Sequence, residues 1–228
     1  MSASAWLPQA PPILYTLHMA DILSPTQLST ITRWLGTGSL NIFGLPFAGK
    51  DTHGHELAKL FDATLLGGGD IMRNSVIPSH VKEAIDAGFL APTDEYIKII
   101  TPYLSRQEFK GKPLILSSVG RWKGEEEGVM QATAASEHPI KAVIYLHLTE
   151  ESVYKRFKKS QEKGDRGDRP DDAEHILATR IQEFNEKTMP VIEAYRQKGL
   201  LIEINSEAAP EEVLESILAR LFLAATHS

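Results

Sequence analysis

A glycine-rich segment that ends in a lysine carries the clearest chemical signal in this 228-residue chain. Residues 44–52 have the sequence Gly-Leu-Pro-Phe-Ala-Gly-Lys-Asp-Thr, between an apolar run, Leu40–Phe43, and a helix-like stretch, Asp51–Phe61. Backbone N–H groups at such a helix start point at an anion, and the helix dipole adds to the attraction. Lys50 supplies a point charge for the β- and γ-phosphates of a nucleotide. The segment predicts a phosphate-binding loop, with a glycine-rich turn and a surface lysine as the alternative.

The residue after the lysine departs from the strict form of this loop. A hydroxyl that ligates Mg²⁺ directly stands immediately after the lysine. Here Asp51 follows Lys50, and Thr52 comes one position later. This order argues against a GTPase-type magnesium site. Because a carboxylate repels a triphosphate, we expect the Asp51 side chain to point away along the helix, where an acid near the N-terminus is favourable.

The elements that must position this loop follow from the hydropathy pattern. Short apolar runs alternate with longer amphipathic stretches from residue 40 onward. The runs are Leu40–Phe43, Ala63–Leu66, Leu114–Leu116, Ala142–Leu148 and Leu200–Ile204. Five strands with helical crossovers predict an α/β fold, in which a parallel sheet is covered on both faces as a three-layer α/β/α structure. Ligands in such folds bind beyond the carboxyl ends of the strands.

Two insertions interrupt the alternation. The first, residues 71–104, contains helical material at Val81–Ala87 and Thr93–Leu104, between the second and third strands. The second, residues 160–172, has almost no apolar side chains and is rich in glycine and charge. Its composition predicts a mobile loop, and mobile loops over the binding edge of a sheet often act as lids.

The N-terminal residues 1–39 form a separate extension with one predicted helix near residues 25–35. Ser24 can cap that helix, Pro25 suits its first position, and Gln27 completes a capping box. The apolar side chains that follow at helical spacing are Leu28, Ile31 and Leu35, before Gly36. We expect this amphipathic helix to pack on the protein's own core, with a subunit contact as the alternative.

Composition excludes several classes of protein. The chain has no cysteine, which removes disulfide frameworks, thiolate zinc sites and cysteine nucleophiles. Its 24 basic and 30 acidic side chains give a net charge of −6, which is unfavourable for general nucleic-acid binding. No Lys or Arg precedes Arg33, and no apolar run approaches the roughly 18 residues that span a bilayer. We therefore expect a cytoplasmic protein without membrane or nucleic-acid partners.

Positive charge is nevertheless concentrated in one segment. Residues 155–169 contain seven basic and three acidic side chains. An acidic chain with such a local cluster suits a small polyphosphate ligand. The pair His53 and His55 lacks the i, i+4 spacing that places two metal ligands on one helix face, so we expect a packing or surface role for both.

The motifs occur in an order that resembles the adenylate kinases and related nucleoside monophosphate kinases. Gly-x-Pro-x-x-Gly-Lys-x-Thr is the form of the phosphate loop in that family. Residues 69–73 resemble its Gly-Asp-x-x-Arg segment, and residues 86–95 resemble its Gly-x-Leu-Val-Pro-Asp-Glu turn. Gly120-Arg121 stands where the family has Asp-Gly-(Phe/Tyr)-Pro-Arg, and residues 169–172 resemble the Arg-x-Asp-Asp end of a short lid. Residues 180–195 resemble its Arg-Leu-x-x-Tyr-x-x-x-Thr-x-Pro-x-Ile-x-x-Tyr helix pair.

The resemblance implies a nucleoside monophosphate kinase domain over residues 40–228. Its monophosphate-binding (NMP-binding) insertion would span about residues 67–104 and its short lid about residues 158–172. The residues implied to bind ATP are Gly44, Pro46, Phe47, Ala48, Gly49, Lys50, Asp51, Thr52 and Arg156. Those implied to bind the acceptor are Gly68, Asp70, Arg73, Leu90, Ala91, Gly120, Arg121, Glu125, Arg169 and Arg180. Those implied to be catalytic are Lys50, Arg156, Arg169 and Arg180.

The implied activity is transfer of the γ-phosphoryl group of ATP to a nucleoside monophosphate, with AMP as the default acceptor. Arginines suit this chemistry because guanidinium groups bind phosphate bidentately and stay charged. Mg²⁺ would arrive with ATP rather than at a dedicated protein site. No structural zinc is expected, because the lid is short and the chain has no cysteine. We expect a monomer whose partners are ATP and the acceptor.

Three departures from the family pattern keep alternatives open. Ser117-Ser118 replaces the Asp-Gly whose carboxylate orients Mg²⁺ through water, which would suit a catalytically weak nucleotide-binding regulatory module. Gly68 replaces the base-reading Thr, and Glu125 falls where the adenine-reading Gln stands. These two changes favour an acceptor other than AMP, because an ionised Glu accepts hydrogen bonds and cannot donate them. Alternatively, Glu125–Glu127 is a solvated acidic run.

Overall fold

A parallel sheet of five strands lies at the centre of the structure, a computed structural model that describes residues 23–73, 77, 79, 82–83, 93–163 and 174–227. The strands are β1 (Ser39–Gly44), β2 (Thr64–Gly67), β3 (Leu114–Ser117), β4 (Ile140–His147) and β5 (Leu201–Asn205). Their order across the sheet is β2-β3-β1-β4-β5. The five predicted strands are therefore confirmed, each within a few residues of the predicted bounds.

Helices connect the strands and cover the sheet. They are α1 (Pro25–Leu35), α2 (Lys50–Leu60), α3 (Gly68–Arg73), α4 (Thr93–Leu104), α5 (Glu125–Ala135), α6 (Glu150–Lys163), α7 (Glu174–Glu183), α8 (Met189–Gln197) and α9 (Pro210–Thr226). Side chains of β3 enter two separate cores, because Ile115 belongs to one buried cluster and Leu114 and Leu116 belong to the other. Alternate residues of a strand face opposite sides of a sheet. Both faces are thus covered, as predicted for a three-layer α/β/α fold.

The position of β1 places the glycine-rich loop at the binding edge. All six residues of β1 are buried between its neighbours, and Ile42 pairs with Ser117 of β3 while Gly44 pairs with Leu146 of β4. The carboxyl ends of three parallel strands therefore meet where residues 45–49 leave the sheet. This is the edge at which ligands bind in open parallel sheets.

The N-terminal helix α1 forms as predicted. The Ser24 Oγ accepts the Gln27 N–H at 3.3 Å, and the Gln27 side chain accepts the Ser24 N–H at 2.9 Å. Ile31 and Leu35 are buried in the larger core, and α1 packs against α9. The expectation that the helix packs on the protein's own core is confirmed. The predicted lead-in lies mostly outside the described residues.

The insertions agree in part with expectation. The predicted helix Thr93–Leu104 is confirmed as α4, whereas Val81–Ala87 lies outside the described residues except for two helical positions, 82 and 83. The predicted loop at 160–172 is wrong for its first four residues, because α6 continues to Lys163. Ser-Gln-Glu-Lys contains mostly good helix formers, and the first glycine stands at position 164.

No helix within the described part of the chain is both long and apolar enough to cross a bilayer.

Candidate active site

The phosphate loop joins the end of β1 to the start of α2. Gly49 lies in the left-handed region with φ 89°, and a Cβ at this position would approach the His53 ring to 3.2 Å. A Cβ at Gly44 would approach the Leu146 carbonyl oxygen to 2.8 Å, too close for any side chain. Both glycines of the motif are therefore required by the backbone itself. The loop predicted from the sequence is present, and it opens a helix as the chemistry requires.

The lysine of the loop is held across the loop's own carbonyl groups. Lys50 Nζ donates hydrogen bonds to the carbonyl oxygens of Gly44 and Leu45, each at 2.8 Å. Lys50 is the first residue of α2, so its ammonium group lies beside the N-terminal end of the helix dipole. A phosphate at the loop would meet the ammonium and the positive end of the dipole together.

Arg156 of α6 reaches the phosphate loop from across the sheet edge. Its Nη1 donates to the Phe47 carbonyl oxygen at 3.1 Å, and its Nη2 donates to the Ser206 carbonyl oxygen at 2.6 Å. The adjacent Phe157 packs edge-on against the Phe47 ring, with 5.7 Å between ring centroids. The structure thus brings together Arg156 and the loop, two groups that are more than 100 residues apart in the chain.

Ser206, the residue directly after β5, supports the loop and was not identified from the sequence. It is buried, its Oγ donates to the Ala48 carbonyl oxygen at 2.7 Å, and its N–H donates to the His147 carbonyl oxygen at 2.8 Å. The only signal available was its place among polar residues directly after an apolar strand. The contact itself depends on β5 and β1 both flanking β4, which no local pattern encodes.

Glu207 ties together the two elements that carry Arg156 and Ser206. Its carboxylate accepts hydrogen bonds from the Ser152 hydroxyl and from the Thr149 N–H and hydroxyl. The Ser152 hydrogen bond, followed by the Thr149 backbone hydrogen bond, lowers the pKa of Glu207 to about 2. The carboxylate stays ionised through the neutral range, so the start of α6 remains attached to the loop after β5.

Asp51 does not point away along α2, which corrects the expectation from the sequence. The Ser117 Oγ donates a hydrogen bond to Asp51 Oδ1 at 3.4 Å, so the carboxylate faces the end of β3. The first turn of α2 lies beside that strand end because β1 and β3 are neighbours in the sheet. Thr52, the next residue, is exposed in the same turn.

The loop after β3 is organised by a buried glutamate. Glu125 is only 2% exposed, and its Oε2 accepts the backbone N–H groups of Arg121 at 2.7 Å and Trp122 at 2.9 Å. Glu126 is also buried, and its Oε2 accepts the Gly124 N–H. The alternative of a solvated acidic run is therefore wrong for both residues. A direct contact between Glu125 and the acceptor base stays a prediction.

Two further side chains hold the backbone around Arg121. The buried Asn41 of β1 donates from Nδ2 to the Val119 carbonyl oxygen at 2.7 Å and accepts the Val119 N–H at 3.3 Å. Thr188, also buried, donates from Oγ1 to the Arg121 carbonyl oxygen at 3.2 Å. Gly120 has φ 77°, and a Cβ there would approach Val129 to 2.7 Å. The predicted residues Gly120 and Arg121 therefore stand on a rigid loop.

The remaining predicted residues are placed less completely. Arg180 is half-buried in the last turn of α7, which continues through a π-helical segment, Phe184–Thr188, towards Arg121. Gly68 is buried and begins α3 directly after β2. Asp70 and Arg73 lie on α3 with side chains outside the described set, and three further residues lie wholly outside it: Leu90, Ala91 and Arg169. Their binding roles stay predictions.

A neutral histidine packs beneath the loop. His53 is 3% exposed, and its Nδ1 has no hydrogen-bond partner within the described residues. Burial, followed by the positive charge of Arg156, lowers the pKa of His53 to about 4, although Glu211 acts in the opposite direction. His55 is exposed on the other side of α2, so the predicted separation of the two histidines is confirmed. Within the described chain, no three His, Cys, Asp or Glu residues form a metal-binding group.

His53 predicts a loss of stability in mild acid. Its folded-state pKa is about 4, below its ordinary value of 6.5, so between these values the unfolded chain binds more protons than the folded one. Stability therefore falls as the pH falls, by about 2 kcal/mol between pH 7 and pH 5 for this group. Urea unfolding of His53→Gln at both pH values should show a pH-dependent loss smaller by about that amount. The exposed His55→Gln, as control, should keep the wild-type loss; an equal loss in all three proteins would contradict the prediction.

The fold and the loop define a nucleotide-binding protein of the P-loop type. The family model for adenylate kinase matches residues 42–200, which is most of the chain, and the protein belongs to the adenylate kinase family. It is 29% identical over 193 residues to an adenylate kinase of Caulobacter sp. (strain K31), covering 82% of this chain and 100% of that protein. An adenylate kinase of Leifsonia xyli subsp. xyli is 27% identical over 186 residues, covering 79% and 91%. The resemblance predicted from the motifs is confirmed.

Proposed function

We propose that the protein transfers the γ-phosphoryl group of ATP to a nucleoside monophosphate, ATP + NMP = ADP + NDP, with AMP as the default acceptor. The observation that carries the proposal is the contact of Arg156 with the phosphate loop. This contact brings a guanidinium group to the same loop that holds the Lys50 ammonium group. The names of the curated relatives support AMP as the acceptor.

The chemistry needs positioning and charge neutralisation more than covalent participation. Lys50 would hold the donor phosphates, and Arg156, with Arg169 and Arg180, would bind the phosphoryl group in transit. Arg121, on its rigid loop, and Arg73 would hold the acceptor monophosphate. No general base is required because the acceptor phosphate is already an anion. Closure of the lid would exclude water and so prevent hydrolysis of ATP.

Magnesium would enter with ATP. The Asp51 carboxylate and the Ser117 and Thr52 hydroxyls lie in the first turn of α2 and at the end of β3, and they are hard oxygen donors of the kind Mg²⁺ prefers. Few protein ligands suffice because this ion keeps several waters and binds substrate phosphates. When bound, it neutralises the developing charge on the phosphates.

Departures from the family pattern at particular residues support two alternative functions. Gly68 and Glu125 favour a kinase for a different nucleoside monophosphate, since they replace the residues that read adenine in the family pattern. Ser117-Ser118 favours a catalytically weak nucleotide-binding regulatory module. Calorimetry that detects nucleotide binding without any turnover would support the module and exclude both kinase proposals.

A substrate panel tests the proposal. We expect ATP-dependent ADP formation in a coupled assay across AMP, GMP, CMP, UMP and their deoxy forms, with AMP giving the highest kcat/KM. A higher value for another nucleotide would move the proposal to that acceptor. If the folded protein turns over none of these nucleotides, nucleoside monophosphate kinase activity is excluded. Cytoplasmic location and a monomeric state stay predictions, the latter open to light scattering.

A further inference from the structure

A carboxylate and a hydroxyl beside the phosphate loop stand in unusual positions. In P-loop proteins generally, Mg²⁺ is held by a hydroxyl directly after the loop lysine and by a carboxylate elsewhere in the site. In this chain the residue directly after Lys50 is the carboxylate Asp51, and the hydroxyl Ser117 ends the neighbouring strand β3. Relative to that general arrangement, the carboxylate and the hydroxyl each stand in the other's position, while Thr52 keeps the hydroxyl of the family's own loop.

The structure shows that these groups face each other. The Ser117 Oγ donates to Asp51 Oδ1 at 3.4 Å, near the upper limit for a hydrogen bond, so the carboxylate retains most of its capacity to accept. Ser117 is 6% exposed, whereas Asp51 is exposed on the first turn of α2. A buried hydroxyl therefore orients an accessible carboxylate at the edge where Lys50 meets the loop.

The charge of Asp51 affects ATP binding differently with and without a divalent cation. A carboxylate adjacent to the lysine of a triphosphate site repels the bare nucleotide, whereas a divalent cation between the two reverses the sign of the interaction. We propose that Asp51 positions the magnesium ion of bound Mg-ATP and that Ser117 orients the Asp51 carboxylate for this role. The proposal rests on the ATP site of the proposed function, but not on phosphoryl transfer.

The sign of the effect on ATP affinity tests the proposal without any turnover. Calorimetry would measure the Kd of ATP with excess Mg²⁺ and with EDTA, for the wild type and for Asp51→Asn. We expect the variant to bind metal-free ATP more tightly and Mg-ATP more weakly, so that the tightening by Mg²⁺ falls about tenfold. Asp51→Glu should retain most of the tightening. If both Kd values change in the same direction, or if neither changes, the proposal is overturned.

A control and an exchange variant sharpen the test. Asp62→Asn makes the same chemical change at an exposed position before β2, at the opposite edge of the sheet, and should alter neither Kd. The double change Asp51→Ser with Ser117→Asp should restore the tightening to within about threefold of wild type. Ser117 is buried, so this protein must first pass a thermal-unfolding check; Asp51→Asn and Asp51→Glu decide the matter if it does not fold.

The outcome separates this inference from the proposed function. Wild-type protein that shows metal-dependent ATP binding, the expected reversal in Asp51→Asn and no turnover would exclude the kinase and retain the role of Asp51. Turnover without the reversal would retain the kinase and exclude the role of Asp51. Wild-type protein that binds no ATP would exclude both.

Discussion

Replacement of Arg156 by alanine is expected to lower kcat by about 10²- to 10⁵-fold, the range for the loss of a group that stabilises transferring charge. The guanidinium donates to the carbonyl oxygens of Phe47 and Ser206, which places it at the phosphate loop. Arg156→Lys should remain deeply impaired, because an ammonium group cannot form the bidentate contact with a phosphoryl group. Steady-state kinetics at saturating ATP and acceptor measures this directly.

The neighbouring Lys155 offers a matched control. It is exposed and pairs with Glu151 at 2.7 Å, so Lys155→Ala removes the same charge from the next position of α6. An exposed pair of this kind contributes little, and kcat should stay within about twofold of wild type. Thermal unfolding of both variants separates a chemical defect from loosening of the loop after β5. An equal loss in the two variants, or retention of more than about a tenth of kcat by Arg156→Ala, would contradict the assignment.

The fold was predictable because its signals are local. A central parallel strand is buried on both faces and therefore appears as a continuous apolar run, as Leu114–Leu116 does. The capping residues Ser24 and Gln27 also predicted α1 from a local signal, because their hydrogen bonds lie within one turn. The first four residues of the second insertion were predicted as loop because their polar and charged side chains resemble loop composition, whereas Lys, Gln and Glu also propagate a helix well.

From the residues themselves, the candidate site was predictable only where they are contiguous, and the family resemblance was needed to predict Arg156. The phosphate loop follows from nine successive residues, and its two glycines meet backbone constraints that a motif can record. Ser206 is 158 residues from its partner Ala48, and Asn41 is 78 residues from Val119, so both contacts arise from the order of strands in the sheet. The orientation of Asp51 likewise depends on β3 lying next to β1.

Glu125→Ala should damage the acceptor side of the site. The carboxylate accepts the N–H groups of Arg121 and Trp122 in a buried setting, and its removal leaves both donors without that acceptor. A buried donor without a partner costs about 1–3 kcal/mol, so the loss of the acceptor for two donors should lower the free energy of unfolding by about 2–6 kcal/mol. Loosening of the loop that carries Arg121 should lower kcat/KM for the acceptor by about 10²-fold, as a misplaced positioning group does.

The distribution of that loss among acceptors distinguishes the two roles considered for Glu125. If the carboxylate acts through the Arg121 loop, as its Oε2 contacts indicate, kcat/KM falls by a similar factor for every nucleoside monophosphate, because the phosphate is common to all. If it reads the base, the preference among AMP, GMP, CMP and UMP shifts instead. Glu127→Ala is the control: this residue lies in the same turn of α5 but is exposed and pairs with Lys198. We expect Glu127→Ala to keep wild-type kcat/KM, and a changed order of preference in Glu125→Ala would contradict the loop-holding role.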